Sequence, residues 1–428
     1  LVQALAWANL VDARSLPGRH HKAFSQLVDG LTKKQLAELK AGFSLYAKGW
    51  VTAPSSTKVR DGLGPHFNAV SCVSCHQHNG RGRPPVKEMG PDFSLLIRLS
   101  VPGNNKNGAP TGEPIYGGQF HPRATLGVAN EGDLNLQYTS KEVIFPDGEK
   151  VELQVPKYNL VNLKYGPMNK ETMISPRVAP HLAGVGYLDK VTEDQILSYA
   201  DENDKDNDGI SGRANYAWNV LENKATIGKF GWKANQPTLL QQNAGAFNGD
   251  LGITSPLFPE QNCSVEQEDC YFALHGGETE ISRKHLDFVN LMVGSIDAPR
   301  VKRLKNFEEG KKLFHKVDCQ KCHRPSFEVD GKTVSPYTDL LLHDMGDELA
   351  DNRPDFLANG KEWKTPPLWG VGAQKEVNGH TYLLHDGRAR NVKEAILWHG
   401  GEAKGSKDKF MQLTRKEREA LINFVNSI

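Results

Sequence analysis

The chain has 428 residues, enough for two or more domains with cores of their own. Its 52 Lys and Arg nearly balance 51 Asp and Glu, so charge gives no argument for nucleic acid or an anionic membrane as a partner. No stretch approaches the roughly 18–20 apolar residues of a membrane-spanning helix. The apolar start, Leu1–Leu10, reads as the remnant of a processed leader or as an ordinary first helix.

Gly30–Trp50 reads as a helix, with Leu36, Leu39, Phe43 and Tyr46 recurring at helical spacing. It leads into Cys72-Val73-Ser74-Cys75-His76. Two thiols on one turn can add to the two vinyl groups of one porphyrin, and the following imidazole can then ligate the iron. Gly- and Pro-rich loops follow at residues 80–85 and 102–118. A β excursion is expected over about 113–163, where Glu142–Phe145 and the alternating Val151, Leu153 and Val155 flank Asp147-Gly148 as a hairpin.

Thr192 caps a short helix that runs into an acidic loop, residues 201–215. Asp204, Asp206, Asp208 and Gly209 occupy positions 1, 3, 5 and 6 of a calcium loop, with the Ile210 carbonyl at position 7. Asn215 stands where a sensor loop has its bidentate Glu, so the spacing predicts a fixed structural calcium; a solvated acidic loop is the plain alternative. Helices are expected at Leu239–Phe247, Glu278–Val293 and Phe307–Val317, with a domain boundary near Asp297-Ala298-Pro299. The attachment motif then recurs as Cys319-Gln320-Lys321-Cys322-His323, and the chain closes on a helix from Thr414 to Ile428 with Thr414 and Glu417 as a capping box.

Two full copies of the motif predict two covalently bound haem c groups. A four-cysteine zinc site would use the same thiols but leave both histidines unexplained. Covalent haem attachment in bacteria takes place outside the cytoplasm, where disulfides persist. The two remaining cysteines, Cys263 and Cys270, are therefore expected to pair, and the chain to be periplasmic, with membrane association through a lost leader left open.

Trp363-Lys364-Thr365-Pro366-Pro367-Leu368-Trp369, Tyr382–Arg388 and Val392–Ile396 resemble the di-haem oxidoreductase family, within the bacterial di-haem cytochrome c peroxidase and MauG-like superfamily. The resemblance implies a mainly α fold of two cytochrome c-like haem domains, residues 1–298 and 299–428. The first would be enlarged by the β excursion and the calcium loop. In those peroxidases a methionine follows the His-x-Gly histidine by fourteen residues and ligates the C-terminal haem. Fourteen residues after His385 this chain has His399, so His323 and His399 are expected on the second iron, with His343 the runner-up. Bis-histidine ligation lowers the potential relative to His/Met.

The resemblance also implies Trp232 as an inter-haem relay, although plain core packing would use a tryptophan equally well. Gln242 is implied as a distal-pocket residue and Asp250 as the nearest carboxylate to the family's catalytic acid. Such an acid takes a proton from one peroxide oxygen and returns it to the other. Arg81, Arg83 and Arg177 are candidates for pairing with propionates or polarising peroxide, with most expected to be propionate or surface partners. Neither His121 nor His181 falls in register with the family's removable distal histidine, so the first haem is expected to keep an open or weakly held sixth position. The implied activity is peroxide reduction at the N-terminal haem, with electrons from a small redox protein entering at the C-terminal one. Oxidation of a partner protein or organic substrate, and electron transfer without catalysis, are the alternatives.

Overall fold

A computed structural model describes residues 22–86 and 94–428; the apolar start lies outside them. The main elements in chain order are α1 (Lys33–Ala47), β1 (Leu95–Ser100), β2 (Gln119–Phe120), β3 (Asp133–Ile144), β4 (Lys150–Val161), β5 (Met173–Val178), α2 (Glu193–Leu197), α3 (Leu239–Leu251), α4 (Arg283–Gly294), α5 (Phe307–Lys316), α6 (Val392–Trp398) and α7 (Arg415–Val425). Thr32, Thr192 and Thr414 each accept from the backbone three residues on, closing the capping boxes that start α1, α2 and α7.

The two haem motifs sit in like surroundings. Before the first, α1 crosses α4 so closely that a Cβ on Gly42 would lie 2.0 Å from Phe288 O. Before the second, α5 crosses α7, and a Cβ on Gly310 would lie 2.1 Å from Ala420 O. Only glycine lets backbones approach this far. One hydrophobic core gathers α1, α3 and α4 and takes in Leu340, Leu341 and Trp369 from the later half. A second gathers α5, α6 and α7 and takes in Phe145 and Leu153 from the β3–β4 hairpin.

The mainly α expectation is overturned. The chain is 29% helical and 20% strand, with its strands dispersed over many small sheets. The hairpin is present with Asp147-Gly148 at its turn, but its strands are twelve residues each, pairing from Asp133↔Val161 to Ile144↔Lys150. Much of β3 is exposed and polar, so apolar alternation marked only the tip. β1 pairs with both β2 and β5. Arg98, Pro176 and Arg177 interrupt the apolar pattern of β1 and β5, because these strands carry cations toward the interior instead of a continuous apolar face.

Among the described residues no helix is long and apolar enough to cross a membrane. Cys263 and Cys270 form a disulfide.

Candidate functional site

Two large cavities open beside the two motifs. The first encloses about 1640 Å³, including space continuous with solvent, and is lined by Cys72, Cys75 and His76. The second encloses about 1390 Å³ on the same basis and is lined by Cys319, Cys322 and His323. The thiols fall on one short turn in each case, Cys72–Cys75 being a single helical turn and Cys319–Lys321 a 3₁₀ turn.

The second cavity contains a matched pair of imidazoles. His323 Nδ1 is 3.0 Å from Tyr337 O, and His399 Nδ1 is 2.7 Å from Ala395 O. A carbonyl only accepts, so each Nδ1 carries the hydrogen and each Nε2 keeps a lone pair. Burial, then the neighbouring His399, push His323 down to about 4, and burial lowers His399. Both rings are therefore neutral at ordinary pH, as iron ligation requires. His399 sits at the C-terminal end of α6, where helix geometry gives way and the following Gly401 takes φ +49°.

His343, the other candidate, is held elsewhere. Its Nε2 is 2.8 Å from Asp339 and its Nδ1 2.7 Å from Glu402. Burial opposes protonation there, but Asp339 outweighs it and raises the imidazole well above its ordinary value. Neither nitrogen is free for iron. His385 stacks face to face on Trp363 at 3.8 Å, and His380 Nε2 lies 3.1 Å from Arg81 O.

Across the first cavity lies one face of α3. Gln242, Ala246 and Asp250, at helical spacing, all line it. The adjacent Gln241 turns away, its side chain bonding the backbone of Val220 and Trp218. Asp250 Oδ1 accepts from Gln119 Nε2 at 2.9 Å, and Asp250 O accepts from Asn68 and Ala69 in the segment before Cys72. His181 also lines this cavity, stacked on Phe24, with its Nδ1 buried and without a hydrogen-bond partner.

Trp232 borders both cavities. Its indole Nε1 donates to Val178 O at 2.9 Å, and the Arg81 guanidinium lies 5.0 Å from the ring centroid.

Cations lining both cavities suit the carboxylates of a porphyrin. Arg98 and Arg177 line the first cavity, Arg81 and Lys364 the second. Arg81 Nε and Arg177 Nη2 are buried without partners. Burial lowers Arg81 to about 10 and Lys364 to about 8. Carboxylates entering these cavities would meet the unpartnered Arg81 Nε and Arg177 Nη2. Arg98 and Lys364 escaped the sequence reading, since each is one cation within an apolar or Pro-rich run. Arg83, by contrast, places its Nη1 3.4 Å from Pro84 O.

In the acidic loop, carboxylate oxygens of Asp204, Asp206 and Asp208 lie within 4.8 Å of one another. Gly209 takes φ +81°, and its N–H and that of Asp208 bond Asp204. Asp208 Oδ2 is 2.7 Å from Lys321 Nζ, inside the second motif, and Ile210 reaches the second cavity. Asn215 is buried and bonded to Lys233 O and Asp355 O, away from this cluster.

No curated protein matches the sequence. A solved structure of Kuenenia stuttgartiensis hydrazine synthase pressurised with xenon matches at 13% identity and a TM-score of 0.36, covering 94% of this chain and 98% of that one. The family model described as "Di-haem oxidoreductase, putative peroxidase" matches residues 14–428, nearly the whole chain. Two large cavities, each lined by its own Cys-x-x-Cys-His motif, agree with that match, and the chain belongs to this di-haem oxidoreductase family.

Proposed function

We propose that the protein is a periplasmic enzyme with two covalently attached haem c groups that reduces peroxide at the first site, using electrons delivered to the second by a small redox protein. The observation that carries this reading is the asymmetry of the cavities. The second pairs His323 with His399, each fixed through Nδ1 to a backbone carbonyl, whereas the first sets Gln242 and Asp250 beside His76 and leaves His181 without such an anchor; Trp232 borders both.

Cys72 and Cys75 would hold one haem by thioether bonds and His76 would ligate it; Cys319, Cys322, His323 and His399 would do the same for the other. When bound, the haems supply iron for peroxide coordination and for electron storage. Arg98 and Arg177, and Arg81 with Lys364, would neutralise the propionates. With Gln119 donating to Asp250 Oδ1, Oδ2 is the oxygen left to take a proton and return it. Gln242 would orient peroxide by its amide. Trp232, which borders both cavities, would relay electrons between the haems. A calcium ion in the Asp204–Asp208 loop would steady the turn beside Lys321.

The test is turnover of hydrogen peroxide against a reduced small c-type cytochrome. Asp250→Asn should lower kcat/KM by about 10²–10⁴-fold, the usual range for a lost general acid–base, with both haem spectra unchanged. Unchanged turnover in this variant would remove Asp250 from the chemistry.

A second reading rests on His181, whose unpartnered Nδ1 lies in the first cavity. If His181 closes the first iron, both haems are six-coordinate and the protein is an electron carrier. The oxidised EPR spectrum separates the two. A high-spin signal supports the enzyme, and two low-spin signals that peroxide leaves unchanged support the carrier.

A further inference from the structure

Away from the two motifs, three buried side chains form a cluster that nothing in the haem chemistry uses. His66 and His121 are each 1% exposed and Glu131 is fully buried. His66 Nε2 is 2.8 Å from Ala129 O, and His121 Nε2 is 2.9 Å from Gly249 O. Carbonyls only accept, so both Nε2 atoms carry hydrogens and both Nδ1 atoms of the neutral rings present lone pairs.

Those lone pairs meet a carboxylate. His121 Nδ1 lies 3.4 Å from Glu131 Oε2 and His66 Nδ1 lies 3.7 Å from Glu131 Oε1. All three ligand atoms fall within 4.8 Å of one another, and His121 Nδ1 has no hydrogen-bond partner. Three acceptors therefore converge in the interior with no donor between them. Such an arrangement is unfavourable unless a positive charge sits among them.

The occupant can be a proton or a metal cation. Burial lowers His66 and, although burial opposes it, Glu131 raises His121, so a proton would reside on His121. A proton should draw the pair to the roughly 2.7–2.9 Å of a charge-assisted N–H···O bond; the observed separations are wider. Zinc bound tetrahedrally at about 2.0–2.1 Å from nitrogen and oxygen gives ligand–ligand edges of about 3.3–3.4 Å. The two imidazole–carboxylate separations, each to its own oxygen of Glu131, are that length or a few tenths longer, and the three ligand atoms all lie within 4.8 Å of one another.

The supporting contacts are those of a metal site. Each imidazole is oriented by a backbone carbonyl, and Glu131 accepts from Gln267 Nε2 at 2.7 Å and from the His121 backbone N–H. Cys270 Sγ lies 3.3 Å from His66 Nδ1, but in its disulfide it offers no thiolate.

We propose that His66, His121 and Glu131 hold one zinc-class divalent cation that ties the segment before the first haem motif to the end of α3 carrying Asp250. The link to Asp250 is short, because His121 and Gln119 both bond the carbonyl of its neighbour Gly249. The site does not depend on the peroxidase reading. It would be a positioning device under either reading of the first haem.

Elemental analysis of the haem-loaded full chain, produced with zinc in the medium and dialysed, tests it. One zinc per chain is expected beside two irons. His66→Leu and His121→Gln should each lose the zinc while haem content, read as pyridine haemochrome, stays at two. X-ray absorption at the zinc edge of the unmodified protein should show nitrogen and oxygen neighbours alone, a readout that stands even if a variant misfolds. No zinc in the unmodified protein overturns the proposal, as does zinc retained in both variants. Sulfur scattering also overturns it, by placing the metal on motif cysteines that lack haem.

Discussion

At the level of single residues, the most consequential position is His399. Its Nδ1 is committed to Ala395 O, so its Nε2 is the atom available across the cavity from His323. Replacing it with methionine, a weaker donor to ferric iron, should raise the potential of one haem and leave the other unchanged. Spectroelectrochemical titration reads this directly, and an unshifted potential removes His399 as a ligand. A different dependence surrounds Asp355, which is buried between Arg177 at 3.0 Å and Arg353 at 3.1 Å. Burial works against its charge, but Arg353 and Arg177 outweigh burial and hold its pKa below the ordinary 3.8. A depressed carboxylate contributes stability above its unfolded pKa and loses it as pH falls through the folded value. The contribution is therefore complete near neutrality and fades in acid below about pH 4. Asp355→Asn should cost about 3–5 kcal/mol near pH 7, because two buried guanidinium groups lose their partner. Its stability curve should also be flatter in acid than that of the unmodified protein. Urea unfolding across pH checks both.

At the level of elements, the helix crossings decide how each haem motif is presented. α5 and α7 touch through Gly310, where an added methyl group would meet Ala420 O at 2.1 Å and Phe424 Cβ at 2.7 Å. Neither is the end of a flexible side chain, so the helices must separate. Gly310→Ala should destabilise the protein by about 1–3 kcal/mol, the usual cost of overpacking. The separation should also disturb the second haem before the first, since α5 leads directly into Cys319. A thermal melt followed in the Soret band of each haem would register that order. The β3–β4 hairpin is the other decisive element. Phe145 enters the second core, Arg418 lies 4.2 Å above its ring, and Arg418 and Lys393 engage Asp147 and Glu149 at the turn. A hairpin from the first half of the chain thus serves as part of the second core.

At the level of the whole molecule, the acidic loop connects to the second haem motif through Asp208 and Lys321, and to the segment after His399 through Ser211 and Glu402, 2.7 Å apart. Calcium in the loop would compete with Lys321 for Asp208 and draw the three carboxylates together. Chelation should therefore lower the melting temperature, and added calcium should restore it. A melting temperature insensitive to both would mark the loop as a solvated acidic turn.

The sequence by itself determined what depends on local spacing. Both Cys-x-x-Cys-His motifs, the Thr192 cap, the Thr414–Glu417 capping box, the hairpin turn and the Cys263–Cys270 pairing follow from residues close together in the chain, whose geometry is nearly independent of the rest of the fold. Fourteen-residue register singled out His399, and the tertiary structure places it with His323 in one cavity. Other features waited on that structure because they join distant segments. His343 became a salt-bridged imidazolium only when Asp339 and Glu402 closed on its two nitrogens. Arg98 and Lys364 gained meaning only beside the cavities they line. His66, His121 and Glu131 carry no common motif, and β1 and β5 no clean alternation, so their meeting was invisible in one dimension. Local chemistry is written in short spacings, whereas buried charge is placed by whichever strands and loops the packed cores bring together.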